Sequence, residues 1–249
     1  MPRFSDHFAF ASESYASFRP DYPDSLFDWL DTLTPQHERA WDCGTGSGQA
    51  AVPLARRHGQ VIASDPSLRQ LASAARADRV DYVAMSAEVA ALRTESIDLV
   101  TVAQALHWFD LPQFFGEVNR VLRPGGAIAV WSYGLLTIDP ATDAQLRHLY
   151  LDILGAYWPV ERALVDSGYA GIALPYPELD SPDVPMEATW NLQQLEGYLS
   201  TWSAVGRYRR ALGSDPVPDV MRRIGSAWPA GEPRRIRWPL VARAARKNV

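Results

Sequence analysis

Cysteine and lysine are almost missing from this sequence. Cys43 is the only cysteine, which excludes a disulfide within the chain. Lys247 is the only lysine, and arginine carries the rest of the 24 basic residues. Against 29 acidic residues they leave a net charge of −5, which argues against a general nucleic-acid binder. No apolar run approaches the length of a membrane span. The opening MPRFSDHFAFASESYA has no basic start and no long apolar core, so a secretory signal is not expected and cytoplasm is the expected compartment. No His, Cys and Asp set has metal-ligand spacing, so no metal is expected. There is no G-x-S-x-G elbow or Ser-His-Asp order, no internal repeat and no low-complexity tract.

What is present is organised around Arg39–Gln49, RAWDCGTGSGQ. A short apolar run ends at Asp42, glycines follow at 44, 46 and 48, and AAVPLARR has helical character. Strand, glycine turn and helix is the form that binds a nucleotide-like ligand. The dinucleotide pattern G-x-G-x-x-G needs its third glycine one position later than Gly48. No Lys or Arg lies between Asp42 and Val52 to clamp a pyrophosphate, so a ligand with a cationic end suits Asp42 better.

Further along, Val61–Ser64 reads as a second strand, and Asp65 at its end is placed to accept ribose hydroxyls, with Pro66 at an N1-like position after a capping acid. Ser25–Leu33 and Leu68–Ala77 read as helices, and Val80–Met85 as a weak third strand followed by Ser86-Ala87-Glu88. Ser96–Gln104 is an almost continuous apolar run, as in parallel strands buried on both faces. It leads through Ala103 and Gln104 to His107 and Trp108, just past a strand end where open α/β sheets bind ligands. Leu111–Leu122 is an amphipathic helix, RPGG a tight turn and Ala127–Trp131 the fifth strand. Beyond Tyr133 the spacing predicts one long helix over 141–157, another over 190–212, a short one over 218–228 and a terminal strand over 234–243, with a partner near 184–190.

At the acid followed by G-x-G-x-G the chain resembles the class I S-adenosylmethionine-dependent methyltransferases, within the methyltransferase type 11 group. EVNRVLRPGGAIAVW matches that family's helix–turn–strand block, and Y-x-x-F-R-P-x-Y-P and YLSTWSA resemble its trans-aconitate methyltransferase-like subgroup. The resemblance implies a Rossmann-like α/β fold: a seven-stranded, mostly parallel sheet with helices on both faces, the last strand antiparallel, and a helical insertion over the active site. It implies one domain over 1–249, with an N-terminal lid and first helices to residue 38, a cofactor core over 39–133, and a C-terminal half carrying the substrate cap. S-adenosylmethionine would be the cofactor, held by Tyr15 and Arg19 of the lid (residues 4–24), Asp42, Cys43, Gly44, Thr45, Gly46, Asp65, Pro66, Ser86, Ala87, Glu88, Ala103 and Gln104.

The acceptor would be a small molecule, with a carboxylate or hydroxyl group, walled by Tyr22, Trp108, Trp131, Tyr133, Tyr198 and Trp202. His107 is the candidate to orient or deprotonate it, and Arg19, Arg207, Arg209 and Arg210 are candidates to hold a carboxylate. No nucleic-acid or membrane partner is expected, and the chain would be a monomer or homodimer. Two rivals stay open at this level: a nicotinamide-dependent oxidoreductase with a degenerate loop, and a non-catalytic cofactor-binding protein.

Overall fold

The five apolar runs become five parallel strands in the computed structural model, which describes residues 18–228 and 231–248. They are β1 (Arg39–Cys43), β2 (Gln60–Asp65), β3 (Val80–Ala84), β4 (Ile97–Ala103) and β5 (Leu122–Tyr133). Four more follow: β6 (Glu178–Leu179), β7 (Met186–Trp190), β8 (Arg234–Trp238) and β9 (Leu240–Arg246). The main sheet has seven strands in the order β3-β2-β1-β4-β5-β9-β6. β9 runs antiparallel to β5, as the resemblance implies. The order reverses between β1 and β4, and the carboxyl ends of those two strands open the crevice where such sheets bind ligands.

The helices are α1 (Asp24–Asp31), α2 (Ala51–Ala55), α3 (Leu68–Ala72), α4 (Leu111–Val121), α5 (Pro140–Arg147), α6 (Arg162–Asp166), α7 (Leu192–Ser200), α8 (Ser203–Leu212) and α9 (Val217–Gly225). Leu26, Phe27 and Leu30 of α1 and Leu54 of α2 pack with Ala40, Leu99 and Ala129 on one face of the sheet. Phe114 and Val118 of α4 and Val165 of α6 pack with Val100, Val102 and Ile128 on the other. Both faces are covered, so β4 must be apolar on both sides. A third core joins α5, α7, α8 and α9 to β7 and β8 and stands over the carboxyl end of the sheet.

Several expected elements differ in their bounds. The segment over 141–157 is α-helical only to Arg147, then widens into a π-helical stretch, His148–Ile153, and ends in a 3-10 turn, Gly155–Tyr157. The wider turn brings adjacent Leu149 and Tyr150 both inward. The expected helix over 190–212 is two: Trp190 belongs to β7, Asn191 and Gln194 form a capping box at the start of α7, and extended Trp202 separates α7 from α8. The helix over 68–77 stops at Ala72, and its cap is Ser67 rather than Asp65. The terminal strand breaks at Pro239, which has no N–H for a ladder. β8 pairs with β7 in a separate two-stranded sheet, while β9 joins the main sheet. The edge position goes to β6, two residues long.

The RPGG turn is tighter than expected, since α4 passes into β5 without an intervening loop. Gly125 sits at φ +77°, and a Cβ on Gly126 would lie 2.9 Å from the Asp98 carbonyl. No other residue fits that approach without moving β4.

His58 lies in this scaffold with both ring nitrogens buried and no hydrogen-bond partner. Burial, and next the neighbouring His37 ring, hold its pKa below the ordinary imidazole value. The unfolded chain takes up that proton more readily, so acidification below about pH 6.5 favours unfolding. His58→Leu should therefore shrink the fall in urea midpoint between pH 7.5 and pH 5.5. Equal falls in wild type and variant would mean that His58 does not resist protonation in the fold.

Candidate active site

The glycine loop is folded on itself by its own amides. Gly44 N–H and Thr45 N–H both donate to the Ser64 carbonyl, at 2.8 and 2.9 Å, and Gly48 N–H donates to the Thr45 carbonyl at 2.9 Å. Gly46 N–H donates to Asp65 Oδ2 at 3.0 Å. Those four donors are spent inside the protein. An anion-binding loop needs such amides free, so this one does not suit a pyrophosphate, and the oxidoreductase reading loses its physical basis.

The carboxylates point the same way. Asp42 is fully buried, and its two oxygens accept from Thr45 Oγ1 at 2.5 Å and Thr101 Oγ1 at 2.8 Å. The expectation that Asp42 faces the ligand is corrected: it braces the loop from beneath. Burial raises its pKa to about 6 against the pull of the two hydroxyls. Burial, and then the charges of Asp42, Glu88 and Asp65, push the Cys43 thiol well above its ordinary value. Asp65 and Glu88 lie near the loop, and no lysine or arginine occurs from 42 to 52, so this crevice suits a cation.

Of the three loop glycines, Gly44 and Gly48 are packed tight. A Cβ on Gly44 would come 2.6 Å from Ala105 Cβ, and one on Gly48 would strike the Tyr82 ring. Gly46, at φ +56°, differs: among the described residues the nearest atom to its added Cβ is Gln70 Oε1 at 3.9 Å. That oxygen is itself buried without a hydrogen-bond partner. Gly46 thus opens on a hollow with an unsatisfied acceptor at its rim. On the other side, Asp65 Oδ1 accepts from Ser67 N–H at 2.8 Å. Each carboxylate oxygen can accept two hydrogen bonds, so Asp65 can brace the loop and also take hydroxyl donors. No helix follows Ser86, and Glu88 Oε1 accepts from Asp110 N–H at 3.1 Å, tying the 86–88 segment to the turn after β4. Pro66 is exposed beside the hollow, and Ala103 is half-buried at the end of β4.

Beyond Ala103 the backbone is strained. Gln104 stands at φ +53°, its N–H donates to the Trp131 carbonyl at 2.8 Å, and its Oε1 accepts from Tyr133 N–H at 2.7 Å. Such outliers persist only where the surroundings hold them, and they gather at functional sites. Gln104 lines a cleft shared with Arg19, His107, Trp108, Tyr133, Tyr150, Trp158, Arg162, Tyr198 and Trp202. The sheet supplies the first part of that wall and the helical third core the rest, so the expected insertion does cover the strand ends.

His107 Nδ1 lies 3.0 Å from the Tyr169 hydroxyl, and its ring tilts against Trp108 with centroids 4.5 Å apart. Burial, helped by the Arg162 charge, lowers its pKa to about 3. It is neutral at pH 7 and too weak a base to take a proton from an acceptor there. The lowered pKa argues against the deprotonating role, and a hydrogen-bonding role fits the geometry.

The remaining expected residues separate into three groups. Tyr15, with lid residues 4–17, lies outside the described residues. Arg19 is at the cleft: its Nη1 donates to the Tyr133 hydroxyl at 3.0 Å and its guanidinium stacks 5.6 Å from the Tyr198 ring centroid. Trp131 is not at the cleft. It is fully buried in the sheet core, with Tyr22 edge-on at 5.5 Å, because it lies two residues short of the strand end that carries Tyr133 outward. Tyr22 packs on that pair and does not line the cleft. Of the four arginines expected to hold a carboxylate, Arg207, Arg209 and Arg210 do not line it either, and Arg209 pairs with Asp215 at 2.6 Å. Tyr150, Trp158, Arg162 and Tyr169 were not foreseen. Their segment has no motif; a W-P followed by a lone helical arginine was the only signal.

The geometry therefore defines a doubly wound α/β protein with a glycine loop at its sheet's switch point and an aromatic cleft past strained Gln104, and known proteins resemble the chain in sequence and fold. A family model for the methyltransferase domain matches residues 41–130. A Dictyostelium discoideum protein named as a methyltransferase is 36% identical over 230 residues, covering 91% of this chain and 88% of its own. A solved structure from Anaeromyxobacter dehalogenans, described as a type II methyltransferase, is 42% identical with a TM-score of 0.87, covering 93% of this chain and 100% of that one. A Saccharomyces cerevisiae protein named as an S-adenosylmethionine-dependent methyltransferase is 30% identical over 133 residues, 50% of this chain and 46% of its own. The chain belongs to the class I S-adenosylmethionine-dependent methyltransferase family.

Proposed function

We propose that this chain methylates a small-molecule acceptor, at a carboxylate oxygen or at a hydroxyl oxygen that enters as its anion with its proton already lost to solvent, in the aromatic cleft beside Gln104 and His107. The observation that carries the reading is the packing of loop residue Gly44 against Ala105, the neighbour of strained Gln104, which lines a cleft walled by Trp108, Trp158, Tyr198 and Trp202. S-adenosylmethionine supplies, when bound, an electrophilic methyl group on a cationic sulfonium. The hollow at Gly46, the spent loop amides and the surrounding acids fit such a ligand. Asp65 would take its ribose hydroxyls, the Cys43–Gly46 backbone its amino-acid end and Ser86–Glu88 its base.

The aromatic walls exclude water and attract cations. A negatively charged acceptor loses charge as it reacts, so a dry cleft favours the transition state over the separated ions. The Gln104 and His107 side chains orient the acceptor, and positioning lowers the barrier further. The narrower likeness to trans-aconitate enzymes rests on YLSTWSA and the RPDYP text, and the acceptor's identity is open to test.

Transfer of a labelled methyl group from S-adenosylmethionine to a panel of small acids, phenols and alcohols tests this directly. No transfer to any of them, with cofactor product still bound, would favour a non-catalytic binding protein. Asp65→Ala should weaken S-adenosylhomocysteine binding by about 1–3 kcal/mol, the scale for hydroxyls left without a partner. Unchanged affinity by calorimetry in a folded variant would remove Asp65 from the site.

A further inference from the structure

The cleft carries two guanidinium groups and, among the described residues, no Asp or Glu lines it. The chain as a whole is acidic, so this gathering of two arginines is set by the fold. One of the two is Arg162. Its Nε donates to the Tyr150 hydroxyl at 2.6 Å and to Asp166 Oδ1 at 3.0 Å. Its guanidinium lies over the Trp158 ring, 4.9 Å from the centroid. Tyr150 in turn donates to Asp166 Oδ1 at 2.7 Å, and the π-helical stretch places it there. The inner nitrogen is thus pinned, and the two Nη groups have no acceptor among the described residues.

A rigid guanidinium fork left open in an aromatic cleft matches a planar oxyanion with two oxygens. Neutral His107, beside Trp108, adds no competing positive charge. The walls of Trp108, Trp158 and Trp202 suit an apolar body.

We propose that Arg162 is the specificity-determining residue of the acceptor site, holding a carboxylate group of a small acid whose apolar body lies against the tryptophans. Tyr150 is a positioning residue that acts through Arg162. This rests on the cleft being the acceptor site.

The test uses full-length protein saturated with S-adenosylhomocysteine and titrates three acids, cinnamate, phenylacetate and hexanoate, each against its primary amide. At least one acid should bind about tenfold or more tightly than its amide, the scale of one charge-assisted hydrogen-bonded pair. Arg162→Gln should bring that ratio near one, and Arg162→Lys should restore part of it. Tyr150→Phe, which removes one hydroxyl only, should lower the ratio a few-fold and leave amide binding alone; it carries the test if Arg162→Gln does not fold. A merely structural arginine would weaken acid and amide together. No preference for any acid in the wild type, or a preference that survives in Arg162→Gln, overturns the proposal. Loss of S-adenosylhomocysteine binding in the wild type would instead strike the methyl-transfer reading beneath it.

Discussion

Gly46→Leu is expected to weaken S-adenosylhomocysteine binding by about 100-fold or more, roughly 2.7 kcal/mol, while the protein stays folded. Gly46 stands at φ +56°, and among the described residues its Cβ would meet nothing closer than Gln70 Oε1 at 3.9 Å. The fold would lose about 1–2 kcal/mol, the cost of a side chain in the left-handed region. The leucine would occupy the hollow that the ligand needs. Gly44→Ala should do the reverse. Its Cβ would be driven to 2.6 Å from Ala105 Cβ and 3.1 Å from Phe109 Cζ, so overpacking adds to backbone strain and the stability loss should reach about 2–5 kcal/mol. Urea unfolding and calorimetry on both variants separate the two roles. Full affinity in folded Gly46→Leu would mean that the ligand does not lie in the loop's hollow.

The second large effect concerns His107. His107→Phe removes the hydrogen-bonding nitrogens and keeps a ring of similar shape. Turnover of the acceptor found by the labelling panel should fall by about 10- to 100-fold. The shape of the pH profile should not change between about pH 6 and 9. The sign follows from the environment: burial and the Arg162 charge both oppose protonation, so the ring, with its pKa at about 3, is already neutral across that range. An ordinary imidazole would titrate near 6.5 and give the wild type an acid limb there. If the wild type shows such a limb and His107→Phe abolishes it, His107 acts as a base and its burial has been misjudged.

The same ring is linked to stability. The unfolded state binds a proton at the ordinary imidazole pKa and the folded state does not, so the stability this group contributes is present above about pH 6.5. It declines as pH falls towards 3.

How far these features could be read in advance depended on how local they were. Strand, acid and glycine spacing at 42–48 is a local pattern, because a sharp turn, a strand end and left-handed backbone are each set by a few neighbouring residues. The same holds for the apolar run of β4, whose double burial is written in its composition. Asp42 shows the limit. Its place at the strand end was legible, but whether its carboxylate faced a ligand or the interior depended on Thr101, fifty-nine positions away in sequence and 2.8 Å away in space. Trp131 and Tyr133 show it again: both lie on one strand, and only the extent of the packing over the sheet separates a core residue from a cleft residue. The break at Pro239 was visible as a proline, but that β8 would leave the main sheet and pair with β7 was not.

The family resemblance supplied the antiparallel last strand, while the residues alone marked the alternation of strands and helices, a ligand loop after β1, and the unsuitability of that loop for a pyrophosphate. Those rest on periodicity, turn chemistry and the absence of nearby cations, which act over a few residues. The character of the aromatic cleft came from long-range packing alone. Arg162, Tyr150 and Trp158 come from irregular helical segments with no motif, and they meet Arg19, Gln104 and His107 through contacts between chain segments far apart. Burial and the Arg162 charge, which exist only once those segments are packed, are what hold the His107 pKa far below the ordinary imidazole value.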